Sequence, residues 1–126
     1  MKKKPKFILI KSTIFPYDVL FTTAPDVDIY RYIEQKMKYK LNDNERELLK
    51  AKSSQTAHTV RLRCGHIVVS VKPVKTTVGI DVCTLAHELV HAVFLIHDNT
   101  GAVNETELTA YHVEYLMREI LKVLDP

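Results

Sequence analysis

An α+β fold is what this chain predicts, and three features carry the prediction. The first half alternates short β-branched apolar runs with turn residues, the pattern of strands. The second half holds two longer stretches of helical apolar spacing, to about Ile96 and from Asn104 to about Leu124. Only the turn cluster Asp98-Asn99-Thr100-Gly101 separates them, so the two helices are expected to fold back on each other. At 126 residues there is room for one core and not two. Residues 1–126 are therefore read as a single domain, with 1–5 as a flexible basic tail.

The elements follow in order. Lys6 to Ser12 and Tyr17 to Thr23 read as strands, separated by Phe15-Pro16. Ala24-Pro25-Asp26 starts a helix in which Val27, Tyr30, Ile33 and Met37 recur at helical spacing to about Lys40. Asn42-Asp43-Asn44 breaks it, and Glu45 to Lys52 forms a second, short helix before the loop Ser53-Ser54-Gln55-Thr56. Thr59 to Arg63 and Ile67 to Val71 form a hairpin around Cys64-Gly65. Lys72 to Gly79 connects to a helix capped by Asp81 or Thr84, and the last helix starts at Asn104 with Glu107 at the capping-box position. The expected architecture is N-terminal strands with one or two helices, then two packed helices.

Composition excludes several classes. A hydrophobic fraction of 46% and a charged fraction of 26% are those of an ordinary globular domain. The apolar run Phe7-Ile8-Leu9-Ile10 behind the lysine-rich start is too short for a signal peptide, and no stretch approaches a membrane span. Cys64 and Cys83 have no framework or zinc-ribbon spacing, so two buried thiols in a reducing, cytoplasmic setting are expected. A net charge of +3, much of it in the basic tail, permits weak contact with nucleic acid or an acidic partner but does not argue for either.

The chemistry lies in His87-Glu88-Leu89-Val90-His91. On a helix, this HExxH spacing sets two imidazoles one turn apart on one face with a carboxylate beside them. Two neutral nitrogen ligands and a base for a metal-activated water are what a zinc hydrolase needs. The neighbours are apolar almost all round, which predicts a buried helix whose two His and one Glu need a metal to satisfy them. A catalytic zinc takes a third protein ligand. Glu107 is favoured, because a short turn would bring the start of the next helix to the His pair, with the small Ala110 easing the approach. His97 is the alternative, at HExxHxxGxxH spacing, but that pattern needs a glycine where Phe94 stands. Glu105 is a weaker third option on a different face.

HELVH followed by Glu107-x-x-Ala110-Tyr111 and His112-Val113-Glu114-Tyr115-Leu116 resembles the gluzincin type of zinc peptidase. It is most similar to small single-domain, zincin-like HExxH proteins of tailed phages and their bacterial hosts, and more distantly to the ImmA/IrrE-like peptidases. The motif-bearing match covers about Val78 to Leu121; the first half matches only in element order. The resemblance implies one Zn2+ held by His87, His91 and Glu107, with Glu88 as general base in the hydrolysis of a protein or peptide substrate. It also implies an oxyanion stabiliser, for which Tyr111 and His112 are the candidates, and a strand that holds the substrate backbone, for which Ile67–Val71 is the candidate. The loop before Glu107 is short and no appended DNA-binding or sensor domain is expected, so repressor cleavage does not carry over.

The remaining polar residues have plainer readings. Cys83 is a structural thiol, His58 and His66 are exposed at the hairpin, and Tyr30, Tyr32 and Tyr39 are packing residues. Lys36, Lys38, Lys40, Lys50 and Lys52 form a solvated face, and Glu114 could hydrogen-bond behind a ligand histidine. Two further functions compete with the peptidase. One is a catalytically silent zinc-binding interaction or virion-associated protein of the same fold. The other is a nucleic-acid-associated protease of the SprT kind, disfavoured because the cysteines supply no zinc ribbon.

Overall fold

The computed structural model of the chain describes residues 7–12, 15–50, 57–72, 82–100 and 106–124, without the side chains of 99, 100, 106 and 107. The elements are β1 (Phe7–Ile10), β2 (Val19–Thr22), α1 (Asp26–Gln35), α2 (Asp43–Leu49), β3 (Ala57–Arg61), β4 (Ile67–Val71), α3 (Val82–Thr100) and α4 (Thr106–Leu124). The fold is α+β, with a four-stranded sheet in the order β1-β2-β4-β3. β1 and β2 pair antiparallel, as do β3 and β4, while β2 and β4 run parallel with Val19 opposite Ile67. A parallel pair needs a long crossover. Here α1, α2 and β3 fill it.

Strand alternation splits the core into two layers. Ile10, Val19, Phe21, Ile67, Val69 and Val71 face α3 and α4, meeting Leu85, Leu89, Val93, Ile96, Leu116 and Ile120. Leu20, Val60 and Val68 face the other way, onto Ile29 and Ile33 of α1 and Leu49 of α2. The sheet is thus covered on both faces, which explains why β2 and β4 are buried along their whole length.

Several expectations need correcting. α1 ends at Gln35 and not near Lys40, because Lys38 takes a left-handed φ of 54° that no helix can continue. Val27 is 63% exposed and lies outside the core. Asn42 does more than end a helix. It caps α2 by accepting from the Glu45 amide at 2.7 Å, while the Glu45 carboxylate accepts from the Asn42 amide at 3.0 Å. α3 runs through 98–100, where a turn was expected, and Thr84 is interior to it. Asn104, Asp81, the tail at 1–5 and the loop at 53–56 lie outside the described residues.

The β3–β4 turn has a specific steric requirement. Gly65 sits at φ +101°, and a Cβ built there would come within 2.1 Å of the Tyr17 ring. The histidines beside this hairpin are half-buried and not exposed. His66 Nδ1 accepts from the Asp18 amide at 2.8 Å. His58 Nε2 donates to the Leu49 carbonyl at 3.0 Å, satisfying an acceptor at the end of α2. The tyrosines behave as read. Tyr32 stacks on Phe7 at 4.5 Å, and Tyr30 and Tyr39 bury ring surface while their hydroxyls donate to the Arg46 carbonyl and to Glu45. Lys36, Lys38, Lys40 and Lys50 are exposed, and Lys52 lies outside the described residues.

Candidate metal centre

α3 has two faces, which corrects the reading of a helix buried all round. Leu85, Leu89, Ala92, Val93, Ile96 and His97 are fully buried, whereas His87, Val90, His91, Phe94 and Asp98 are exposed. The HExxH motif therefore straddles a boundary. Its histidines face solvent, while Glu88 is only 8% exposed and faces the sheet edge.

His87 and His91 sit one turn apart with their rings nearly perpendicular, at 75° and 4.8 Å between centroids. Their Nε2 atoms converge to 3.1 Å. At that distance two ring lone pairs repel unless a proton or a cation lies between them. Two nitrogens on one tetrahedral zinc, each about 2.0–2.1 Å from it, are roughly 3.3 Å apart. The pair fits that donor geometry with little adjustment.

Glu88 is held from β3. Thr59 Oγ1 lies 2.5 Å from Glu88 Oε2 and 3.1 Å from the Glu88 carbonyl oxygen. A hydroxyl has one proton to donate, so the short contact engages one carboxylate oxygen of a residue that lines the cleft. This cleft, about 520 Å³, is lined on one side by Ala57, His58 and Thr59 and on the other by Glu88, His91, Phe94, Leu95 and Asp98. One wall is the edge strand and the other is the exposed stripe of α3.

The strand at the cleft is β3 and not β4. Ile67–Val71 is paired on both sides, with β2 and with β3, so its backbone groups are taken and it cannot add a substrate strand. Among the described residues, β3 is paired on one side alone and forms the outer strand of the sheet. That expectation moves by one strand.

The other sequence-derived candidates lie elsewhere. α3 continues unbroken past Phe94, which carries His97 about 100° around the helix from the His87/His91 face. His97 is fully buried, with its Nε2 3.1 Å from Nδ1 of His112 on α4. Phe15 packs on both rings, at 5.1 Å and 5.4 Å. Burial, and then the charge of His97, push the His112 pKa down to about 4. His112 is thus a partner in the α3–α4 contact and does not line the cleft. Tyr111 is 65% exposed and does not line it either. Ala110 is exposed, so it does not mediate the approach of the helices. Glu114 pairs with Arg118 on the surface and stands behind no histidine. Both Cys64 and Cys83 are exposed thiols, where buried ones were expected.

Glu107 lies in the first turn of α4, and its side chain is outside the described residues, as is Glu105. Among the described residues, no group of three potential ligands converges; His87 and His91 supply two. Sequence reasoning missed Thr59, which lies 29 residues upstream with nothing local to mark it. Phe94 and Asp98 were findable, being three and seven residues after His91 on the same helical face. Among the described residues no helix is long and apolar enough to cross a membrane. Compared with known protein families, curated proteins and solved structures, the chain has no match.

Proposed function

We propose that the chain is a small zinc-dependent peptidase of the gluzincin type, akin to the phage and bacterial HExxH proteins and more distantly to the ImmA/IrrE-like peptidases. The supporting observation is the convergence of His87 and His91 Nε2 at 3.1 Å beside a carboxylate anchored over a cleft. In this reading His87 and His91 are two ligands and Glu107 is the third. Zinc held there would supply a Lewis acid for the scissile carbonyl and would lower the pKa of a water at the site. Glu88 takes the proton of that water and returns it to the leaving amine. Thr59 is a positioning residue that holds the Glu88 carboxylate in one orientation. The outer edge of β3 hydrogen-bonds the substrate backbone. A cytoplasmic setting belongs to the same reading, supported by the two exposed thiols.

One observation favours the alternative of a catalytically silent zinc-binding interaction or virion-associated protein. Neither Tyr111 nor His112 lines the cleft, so neither is placed to stabilise an oxyanion. Incubation with a peptide library separates the two. Cleavage is expected, abolished by a chelator and absent in Glu88→Gln. A zinc-loaded protein that cuts nothing would establish the silent reading.

A further inference from the structure

The cleft wall formed by α3 is graded in chemistry along its length. Glu88 and His91 stand at one end, Phe94 and Leu95 in the middle, and Asp98 at the other end. Phe94 is 43% exposed, a large aromatic ring left open to the cleft beside the small side chain of Ala57. Such a surface costs hydration free energy until an apolar group covers it. Asp98 is exposed and forms no ion pair among the described residues. It sits in the last turn of α3, whose C-terminal carbonyls add negative potential. The basic residue of that turn, His97, is buried on the opposite side against His112. Besides Asp98, the titratable groups lining the cleft are Glu88 and His91 at its far end and His58, whose Nε2 is engaged by the Leu49 carbonyl. The Asp98 end of the cleft therefore favours a cation.

Spacing converts this gradient into a sequence preference. With a rise of about 1.5 Å per residue, Phe94 and Leu95 lie roughly 5 Å along the axis from His91, and Asp98 about 10 Å. An extended peptide advances about 3.3 Å per residue, and alternate side chains point to the same face. The first and third residues from the scissile bond would thus both face α3. The first reaches Phe94 and the third reaches Asp98.

We infer that the site selects extended peptides with a bulky apolar residue next to the scissile bond and a Lys or Arg two residues beyond it. Phe94 and Asp98 are the specificity-determining residues. The inference rests on the peptidase reading for its register, and its test is separable from that reading. Binding of fluorescein-labelled octapeptides to zinc-loaded Glu88→Gln is read by anisotropy. The peptides carry Phe-Ala-Lys, its reversed order Lys-Ala-Phe, or the same cores with Glu for Lys.

In one of the two orders, the Lys peptide is expected to bind about threefold to fivefold tighter than the Glu peptide, the range of an exposed ion pair. Adding Asp98→Lys should reverse that preference, and adding Phe94→Ala should weaken Phe-containing peptides about tenfold. Both positions are exposed, so neither change opens the core. Equal binding of Lys and Glu peptides in both orders would overturn the inference, as would a preference that survives Asp98→Lys. Wild-type protein that cuts these peptides without regard to charge also overturns it while leaving the peptidase reading intact. The expected preference in Glu88→Gln, together with a wild type that cuts nothing, would retain the selectivity of the cleft and remove the peptidase.

Discussion

Glu45 and Glu88 are both nearly buried, at 2% and 8% exposure, on opposite faces of one sheet. Their surroundings differ in kind. Glu45, on α2, accepts hydrogen bonds from the amides of Asn42 and Arg63 and from the Tyr39 hydroxyl, all between 2.7 and 3.0 Å. It closes the helix cap and fastens α2 to the β3–β4 turn. Burial alone would raise its pKa, but the bonds from Arg63, Asn42 and Tyr39 outweigh that and hold it below the usual carboxylate range. Glu88, on α3, has one side-chain donor among the described residues, the Thr59 hydroxyl, and lines the cleft. A saturated carboxylate serves the fold. One left with unused acceptor capacity over a cleft is available for chemistry.

Substitutions at the two glutamates sharpen that contrast, and the largest effect is expected at Glu88. Glu88→Gln should lower peptide cleavage by about 10²–10⁴-fold, the range for losing a general base. Its unfolding free energy should stay within about 1 kcal/mol of wild type, since Gln still accepts from Thr59. Glu45→Ala should do the reverse. Two part-buried amide donors and the Tyr39 hydroxyl lose their acceptor, so urea unfolding should show a loss of about 2 kcal/mol with residual cleavage intact in the folded fraction. Comparable stability losses at both sites would erase the distinction.

Thr59→Val tests whether the one bond to Glu88 matters for orientation. The β-branched shape is kept in the strand, so stability should fall by about 1 kcal/mol. Cleavage is expected to drop about tenfold in kcat with little change in KM, and Thr59→Ser should restore most of it. A change in KM alone would assign Thr59 to substrate contact.

The smallest effects are those of pH on stability. Glu45 has a lowered folded pKa, so its contribution is present above the unfolded value and is lost as pH falls through the folded one. Burial, and then the hydrogen bond to Glu45, raise the Tyr39 pKa to about 12. A raised pKa reverses the sense, so its contribution holds below about 10, the unfolded value, and is lost toward 12. His112, lowered to about 4, contributes above its unfolded value near 6.5 and loses that as pH falls toward 4. The Glu45 side should therefore hold across neutral and mildly alkaline pH, while the His97–His112 contact weakens first on acidification. Denaturant melts of wild type and His112→Phe at pH 4 to 8 check this, and the variant should lose the slope between pH 6.5 and 4.

The contrast between the two glutamates was only half legible in the sequence. HExxH marked Glu88, but Glu45 looked like an unremarkable start to a short helix. Its role depends on Asn42 being a cap and on Arg63 arriving from a turn 18 residues away. Strands were legible where alternation was strong, and β4 has the expected bounds. The parallel pairing of β2 with β4 was not, because local patterns carry no information about a crossover partner. That pairing is what makes β4 interior and β3 the cleft strand. The helix carrying HExxH read as buried all round because Val90 and Phe94 are apolar, yet both are exposed, and Phe94 lines the cleft.

Zinc content across four variants tests the central claim most directly. About one zinc per chain is expected, lost in His87→Ala and in Glu107→Ala and retained in Glu88→Gln and His97→Ala. Retention in Glu107→Ala with loss in His97→Ala would contradict the ligand set, and a wild-type chain that binds no zinc would contradict the metal centre itself.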